Sequence, residues 1–287
     1  MRSIFSGSVN GTINVWDYDS NSLLFTLNGH RAAVRSIEYL PNNYLVSGDS
    51  DSKLFIWNLK TRSKYTEYDL AKGYVSSIIL INSTTFATAS DTNIELWSTE
   101  TFASRLKIDS KYCQHIVGMK YYLNKLFSIS SDGKLKLWEN FDMKFEIDIK
   151  CDVASFEVIS LSNSICGCTD GLIKSYSTET NSFVFIKSFQ QNEEVLSLIK
   201  LGLELFAAGG KYGSFSIWNY KTGSNLLTRK GHTSNIDALE YIQNGTIMTG
   251  SSTGAIRVWD VNNDTMIKQI CAYCNVYALK CLGKFQL

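Results

Sequence analysis

The chain has 287 residues, of which 44% are hydrophobic and 19% charged, and its formal net charge at pH 7 is +1. This length is enough for a sizeable core in one large domain or two small ones, and the near-neutral charge argues against a nucleic-acid-binding protein. The apolar runs are only a few residues long, too short to span a membrane. Seven cysteines without the spacing of a disulfide framework are typical of a reducing compartment. We therefore expect a cytoplasmic protein, with a nuclear location also open.

Tryptophan recurs at an almost constant interval from one end of the chain to the other. The six tryptophans are separated by gaps of 41, 40, 41, 80 and 41 residues, and they stand at Trp16, Trp57, Trp97, Trp138, Trp218 and Trp259. The gap of 80 holds Tyr176 near its centre, so an aromatic residue marks the same place in each of seven units. Such a repeat decides the architecture before any local detail does.

Each unit ends in a short strand that carries the aromatic residue. In chain order these strands read TINVWD, KLFIWN, NIELWS, KLKLWE, LIKSYS, SFSIWN and AIRVWD. Apolar residues stand one and three places before the aromatic residue, with mostly polar residues between them, which is the period-two pattern of a strand. A turn rich in Gly, Ser, Asp and Asn precedes each of them, and another apolar strand precedes the turn, so every unit contains a β-hairpin. The predicted fold class is all-β.

The dipeptides that frame the units resemble those of the WD40-repeat family. They stand at Trp16–Asp17 and Trp259–Asp260 (WD), at Trp57 and Trp218 (WN), and at Gly29–His30 and Gly231–His232 (GH). The unit length also agrees with that family, and the resemblance covers essentially the whole chain. It implies a seven-bladed β-propeller, with residues 1–287 in a single domain and four strands, a to d, running outwards in each blade.

The chain begins with only three strands of the first blade, and the resemblance implies that its other end supplies the fourth. The segment VYALKCL, at Val276–Leu282, resembles the predicted inner strands VRSIEYL, VSSIIL, VLSLIKL and IDALEYI. We expect this C-terminal strand to pair beside residues 3–8 and close the ring. Closure removes the exposed edges that an open sheet would leave for aggregation.

A His-Ser-Asp-Trp set in the second unit matches the structural tetrad of the family. The resemblance implies that it consists of His30, Ser47, Asp51 and Trp57, with the indole N–H bonded to the serine hydroxyl and Asp51 holding the histidine. A serine, a histidine and an aspartate also invite comparison with a catalytic triad. Because these residues recur as scaffold, we interpret the set as a clamp packed between blades and expect Asp51→Ala to destabilise the fold.

Cysteines and one further histidine are the remaining candidates for chemistry. The pairs Cys166–Cys168 and Cys271–Cys274 lack a second pair at metal-ligand spacing, so we predict no metal site and treat Cys166 and Cys168 as small buried residues. His115 stands alone outside the GH dipeptides. Phosphate-binding motifs are missing as well, and we expect neither a cofactor nor a catalytic residue.

Partner binding in WD40-like propellers generally takes place on the top face, where the d–a and b–c connections ring the channel. The resemblance assigns two positions of each inner strand to that face: Ala33 and Arg35, Tyr74 and Ser76, His115 and Val117, Asp152 and Ala154, Glu194 and Leu196, Asn235 and Asp237, Asn275 and Tyr277. It assigns one further position in each b–c turn: Val9, Ser50, Ser90, Ser131, Thr169, Lys211 and Ser252. Tyr74 and Tyr277 are candidate aromatic anchors, a residue type that dominates interface energetics.

The resemblance implies a non-catalytic scaffold or adaptor, a monomeric propeller that binds peptides or protein surfaces within larger complexes. Asp152, Glu194 and Asp237 form an acidic arc over three neighbouring units, with Glu193 beside them, so we expect a peptide ligand with a basic residue. The substrate-receptor subunit of a ubiquitin ligase is an alternative, although neither an F-box nor a W-D-x-R motif is present. A propeller hydrolase is a more remote alternative, which would need carboxylates that converge in the channel.

Overall fold

The computed structural model describes residues 2–71, 73–160, 162–177, 182–202 and 204–282. In chain order the strands are β1 (Ser3–Ser8), β2 (Ile13–Asp17), β3 (Leu23–Leu27), β4 (Val34–Leu40), β5 (Tyr44–Asp49), β6 (Lys53–Asn58), β7 (Ser63–Asp69), β8 (Val75–Asn82), β9 (Thr85–Ser90), β10 (Asn93–Ser98), β11 (Ser104–Asp109), β12 (Ile116–Tyr122), β13 (Lys125–Ser130), β14 (Lys134–Glu139), β15 (Asp142–Asp148), β16 (Val153–Ser160), β17 (Asn163–Cys168), β18 (Leu172–Ser177), β19 (Val184–Gln190), β20 (Val195–Lys200), β21 (Leu205–Gly210), β22 (Ser214–Asn219), β23 (Asn225–Lys230), β24 (Ile236–Gln243), β25 (Thr246–Ser251), β26 (Ala255–Asp260), β27 (Thr265–Cys271) and β28 (Val276–Leu282). A short 3-10 helix at Pro41–Asn43 separates β4 from β5.

These strands form seven four-stranded antiparallel sheets, which are the blades of a propeller. Blade one is ordered β28-β1-β2-β3, and blades two to seven follow in chain order, each with four consecutive strands from β4–β7 to β24–β27. The inner strands β28, β4, β8, β12, β16, β20 and β24 contact their neighbours all the way around the ring. The predicted all-β, seven-bladed fold is confirmed.

The two ends of the chain close the ring within blade one. Strand β28 pairs antiparallel with β1, with Ser3 opposite Leu282 and Ser6 opposite Leu279. The prediction that a C-terminal strand completes the first blade is therefore confirmed. This pairing joins the last strand of the chain to the first, so the hydrogen-bond groups of β1 are covered on both sides.

The core lies between neighbouring blades. One cluster, for example, unites Phe5 and Val15 of blade one with Val34, Phe55 and Trp57 of blade two. Strands b and c are nearly continuous in their burial because each is covered by the blade on either side. Fully burying side chains of this size contributes about 1.5–3 kcal/mol each, so removing one blade would expose the faces of both neighbours.

Serine side chains on the inner strands also link one blade to the next. The backbone N–H of Ile78 donates to Ser36 Oγ at 2.9 Å, and Ser155 Oγ donates to the carbonyl of Val195 at 2.8 Å. These bonds fix the position of the inner strands and of the residues they carry towards the channel. Over the residues that the structure describes, no helix is long and apolar enough to cross a membrane.

Candidate functional site

The predicted tetrad of blade two is a fully buried hydrogen-bond chain. Trp57 Nε1 donates to Ser47 Oγ at 2.7 Å, His30 Nε2 lies 2.6 Å from the same oxygen, and His30 Nδ1 lies 2.7 Å from Asp49 Oδ2. Donation runs consistently if the indole donates to the serine, the serine to Nε2, and Nδ1–H to the aspartate. Ser47 is completely buried, so no substrate can reach its hydroxyl in this arrangement.

The aspartate of this tetrad is Asp49, and the prediction of Asp51 was wrong. Asp49 is the last residue of β5, two residues after Ser47, so both side chains point to the same face of the strand. Asp51 lies in the exposed turn that follows, and its backbone N–H donates to Asp49 Oδ1 at 2.9 Å, as does that of Lys53. Burial alone would raise the pKa of Asp49, but the hydrogen bonds from His30 and these backbone groups outweigh it and hold the pKa below its usual value.

In four other blades a hydroxyl also accepts the indole N–H, and two of these, blades four and seven, keep a hydrogen-bonding residue in the histidine place. In blade four Tyr112 occupies the histidine place, its hydroxyl 2.9 Å from Ser128 Oγ, which also accepts from Trp138 Nε1 at 2.8 Å. In blade seven His232 Nε2 lies 2.6 Å from Thr249 Oγ1. The aspartate place there is Ser251, and His232 Nδ1 is buried without a partner among the described residues.

In blades five and six a residue from the connection that precedes the inner strand takes the role of the aspartate. In blade six the place of Asp49 is Gly210, and the carboxylate of Glu193 accepts from the backbone N–H groups of Tyr212 and Ser214 instead. In blade five the place is Cys168, which is buried as expected but forms a disulfide with Cys151, so the expectation of cysteines without disulfides was wrong for this pair. Both Glu193 and Cys151 stand two residues before the inner strand of their blade, which is a signal that the sequence reasoning did not use.

The d–a connections and the b–c turns together form one rim of the ring, the top face. In six blades the backbone N–H of the turn residue donates to the carbonyl of the residue just before the inner strand: Val9 to Asn275 (3.1 Å), Ser50 to Ala33 (2.9 Å), Ser131 to His115 (2.9 Å), Thr169 to Asp152 (3.0 Å), Lys211 to Glu194 (3.1 Å) and Ser252 to Asn235 (3.1 Å). Blade three differs because its turn is shorter: Ser90 ends β9 and is buried, and the carbonyl of Asp91 accepts from Ile116 N–H at 2.7 Å. The rim backbone is therefore fixed, while its side chains vary.

Blades one to four present an aromatic and basic half of the top face. The Arg35 guanidinium lies 4.4 Å from the centre of the Tyr277 ring and donates to Ser50 Oγ at 3.0 Å. The rings of Tyr74 and His115 are 5.2 Å apart, and burial lowers the pKa of His115. The neighbouring predicted site residue, Ser76, is half-buried and donates to the carbonyl of Ala89 at 3.5 Å.

Blades five to seven present the acidic half, part of which is already neutralised. Glu194 forms an ion pair with Lys211 at 2.8 Å. Asp237 bonds Ser252 and Asn235, and its burial raises its pKa, which the positive charge of Arg35 opposes. Asp152 is exposed, whereas Glu193, predicted to lie beside this arc, is buried in the turn of blade six.

The channel carries a ring of charges that the sequence reasoning missed. The channel holds a cavity of about 290 Å³, which is lined in six blades by the residue four places after the start of the inner strand. The equivalent residue of blade five, Glu157, adjoins the cavity. Five of these seven residues are charged: Glu38, Lys120, Glu157, Glu240 and Lys280. Lys280 pairs with Glu38 at 2.9 Å and Lys120 with Glu157 at 2.8 Å. Among the described residues, Glu240 accepts a hydrogen bond only from the backbone N–H of Cys281, at 3.3 Å, and its burial raises its pKa despite the attraction of Lys280.

Replacing Glu240 with glutamine is expected to stabilise the fold at pH 7 by about 1 kcal/mol, the scale of an imperfectly solvated buried group. Because the pKa of Glu240 is raised on folding, the unfolded chain releases the proton first, and stability falls as the pH rises from about 4.5 through the folded pKa. The gain from Glu240→Gln should therefore be absent at pH 4 and complete above that window. Urea unfolding at a series of pH values measures it, and an equal gain at pH 4 would contradict the prediction.

Comparisons with known proteins agree with this architecture. The model of the family "WD domain, G-beta repeat" matches residues 21–58 and 223–260. The chain is 24% identical over 253 residues to the chicken "Serine-threonine kinase receptor-associated protein", covering 86% of this chain and 60% of that one. It is 26% identical over 268 residues to "B-type cell cycle switch protein ccs52A" of Medicago truncatula, covering 89% and 47%.

Two further similarities complete the comparison. The chain is 23% identical over 296 residues to "Ribosome biogenesis protein YTM1" of Vanderwaltozyma polyspora, covering 91% of this chain and 63% of that one. It therefore spans only about half to two thirds of the length of these relatives. The crystal structure of the computationally designed Ika8 protein superposes with a TM-score of 0.76 at 22% identity, over 97% of this chain and 87% of that one. The chain thus carries WD40 repeats at residues 21–58 and 223–260 within a seven-bladed β-propeller.

Proposed function

We propose that this WD40-repeat propeller is a non-catalytic interaction scaffold that binds a peptide or a protein surface on its top face. The observation that carries the proposal is the rim itself. Six repeated backbone hydrogen bonds fix its geometry, while the side chains it presents differ from blade to blade. A rigid rim with varied side chains suits recognition, because little conformational freedom is lost on binding.

The two halves of the top face favour a ligand with two kinds of side chain. The rings of Tyr74 and Tyr277 offer contact area for an apolar or aromatic residue. Asp152 is exposed, so a basic residue of the ligand would pair with it without displacing an internal ion pair. Glu194 is less available because Lys211 already neutralises it. We infer a monomeric propeller in the cytoplasm or the nucleus, working within a larger complex.

The double variant Tyr74→Ala/Asp152→Lys is expected to lose at least about 90% of specific partner capture, because it removes one anchor from each half of the top face. The measurement is affinity capture from a lysate of the producing cells, quantified by mass spectrometry. Asp142→Lys is the matched control: it reverses an exposed charge at a c–d turn, at the end of the blade opposite the top face. Melting temperatures of all three proteins should agree.

A partner set that the double variant retains would contradict the top-face proposal. A set that is lost equally in the Asp142→Lys control would show that net charge, not the rim, governs capture. Subunits of a ubiquitin ligase among the captured proteins would favour the receptor alternative over a general scaffold.

A further inference from the structure

Blade six contains a polar pocket that reaches its tryptophan, whereas the counterpart in blade two, of about 460 Å³, is lined by Phe55 and does not reach Trp57. The pocket has a volume of about 130 Å³ and lies between strands β22 and β23 and the connection that precedes β20. Gln191, Glu193, Ser216, Trp218 and Thr228 are among the residues that line it. It is distinct from the residues proposed above to bind a partner.

The pocket of blade six extends down to the tetrad positions because blade six lacks the side chain that covers them in blades two, four, five and seven. In blade two the residue two places before the tryptophan is Phe55, which stacks on His30 with the ring centres 4.0 Å apart. In blade four the same place is Lys136, whose ammonium lies 4.2 Å from the centre of the Tyr112 ring.

In blades five and seven the residue two places before the aromatic residue also covers the tetrad positions, whereas in blade six it does not. Lys174 reaches over its blade to the carbonyl of Ile149 at 3.0 Å, and Arg257 donates to the carbonyl of Gly231. The equivalent residue of blade six is Ser216, whose hydroxyl bonds Thr228 at 3.0 Å. A hydroxymethyl group is too short to cover what lies beneath.

The groups beneath Ser216 are polar, buried and unpaired. In blade two Ser47 accepts the indole N–H, but blade six has Ala208 in that place, and Trp218 Nε1 has no partner among the described residues. Gln191 occupies the place of His30, four residues before the inner strand. Both of its side-chain amide atoms are also without a partner in the described part of the chain, and the residue is only 5% exposed.

We propose that this pocket binds a neutral carboxamide group. Such a group has one strong acceptor and two donors, so its oxygen can accept from Trp218 Nε1–H while its NH₂ donates to Gln191 Oε1. A carboxylate would leave Gln191 Oε1 unpaired and would face the negative charge of Glu193, which lines the same pocket. An ammonium group has no acceptor for the indole N–H.

Binding requires one small adjustment. The unpaired atoms are closed to a water-sized molecule in the resting arrangement, so the Gln191 amide must rotate to meet the ligand. Its flexible side chain allows this, and new hydrogen bonds compensate for the rotation because the atoms start unpaired. Asn192, at the mouth, is exposed.

The carboxamide can belong to a small free amide or to a glutamine or asparagine side chain. A second groove, of about 320 Å³, shares Gln191 and Glu193 with the pocket and extends to Lys211 and Tyr212 on the top face. An extended peptide on that face could therefore place a side-chain amide in the pocket. The chemistry recognised is the same in both cases, and the experiment separates them.

Acetamide titration followed by the ¹H–¹⁵N signals of the tryptophan indoles tests the proposal. We expect a saturable shift of the Trp218 indole signal, with the other five indoles as internal controls, and at least a tenfold weaker effect from acetate or methylammonium at equal ionic strength. N-acetylglutamine methylamide is titrated in parallel. Its binding would assign the site to a side chain, whereas binding of acetamide alone would assign it to a free amide.

The variant Ser216→Phe recreates the cover that Phe55 provides in blade two and should abolish the shift. Ala208→Ser supplies Trp218 with the acceptor that blade two has, and should weaken acetamide at least tenfold while keeping the pocket open. Both variants restore features of an intact blade, so both should fold. A Trp218 signal that acetamide leaves unmoved, or a shift that persists in Ser216→Phe, would overturn the proposal and leave a pocket that holds only water.

Discussion

Replacing Asp49 with alanine is expected to lower the free energy of unfolding by about 3–5 kcal/mol, because each buried donor that loses its acceptor costs about 1–3 kcal/mol. The Asp49 carboxylate accepts from His30 and from the backbone N–H groups of Asp51 and Lys53. The substitution leaves all three donors without their acceptor, and Asp49 itself is only 1% exposed, so water cannot easily replace the carboxylate. The melting temperature should fall on the order of 10 °C.

Asp51→Ala is the matched control because it removes the same group two residues away. Asp51 is exposed, and its contribution to the network is a backbone N–H that alanine keeps, so its loss should change stability by no more than about 0.5 kcal/mol. Asp49→Asn, which keeps an acceptor oxygen but loses the charge, should fall between the two. Chemical denaturation midpoints at pH 7 measure all three. Equal losses of stability for Asp49→Ala and Asp51→Ala would contradict the assignment of Asp49, rather than Asp51, as the aspartate of the tetrad.

The architecture could be predicted from the sequence because it depends on local periodicity. The spacing of the aromatic residues gives the number of repeat units, the alternation around each one gives its strands, and the resemblance to WD40 repeats implies that the units are blades of a propeller. Ring closure could also be predicted, since Val276–Leu282 repeats the pattern of the other inner strands. These features need no knowledge of how side chains pair in three dimensions.

The tetrad was predicted less well, and the strand period explains the error. Ser47 and Asp49 are two residues apart and share a face, whereas Asp51 lies beyond the strand, so alternation alone would have selected Asp49. The substitutes Tyr112 and Glu193 were harder to foresee. They come from the connections between blades, where the strand period does not apply and only the distance to the next inner strand marks equivalent positions.

Which charged residues form ion pairs was the feature hardest to predict from the sequence. The inner-strand register places Glu38 and Lys280 towards the channel, and this could have been read from the repeat. Whether Glu194 is free or neutralised depends on Lys211, a turn residue 17 positions later, and on its rotamer. The same reasoning explains why the pocket of blade six was not predicted: it arises from small residues, Ala208 and Ser216, whose effect is visible only against the other blades.

The largest pH effect is expected at His232. It is only 2% exposed, and its burial, together with the positive charge of Arg257, lowers its pKa to about 4. The unfolded histidine titrates near about 6.5. As the pH falls from 7, His232 takes up a proton in the unfolded chain but not in the folded chain. The free energy of unfolding therefore decreases between about pH 6.5 and pH 4, and this loss is complete below pH 4.

This contribution should amount to about 2–3 kcal/mol between pH 7 and pH 4. It is measured as the difference between the free energies of unfolding of the native protein and of His232→Gln, each determined with urea over that pH range. The effect of carboxylate protonation is the same in both proteins and cancels in this difference. The native protein should lose more stability than the variant. Parallel curves would show that His232 does not titrate in the window.

A single substitution should reverse the effect and so identify its cause. His232 lacks the partner that His30 has, because Ser251 stands where blade two has Asp49. Ser251→Asp places a carboxylate beside Nδ1, and an adjacent opposite charge favours the protonated imidazole. The pKa of His232, followed by the NMR signal of its ring C–H, should then rise towards 6.5 or above, and the loss of stability between pH 6.5 and pH 4 should disappear. If the pKa of His232 stays near 4 in Ser251→Asp, the missing carboxylate is not what depresses it, and burial beside Arg257 alone accounts for the shift.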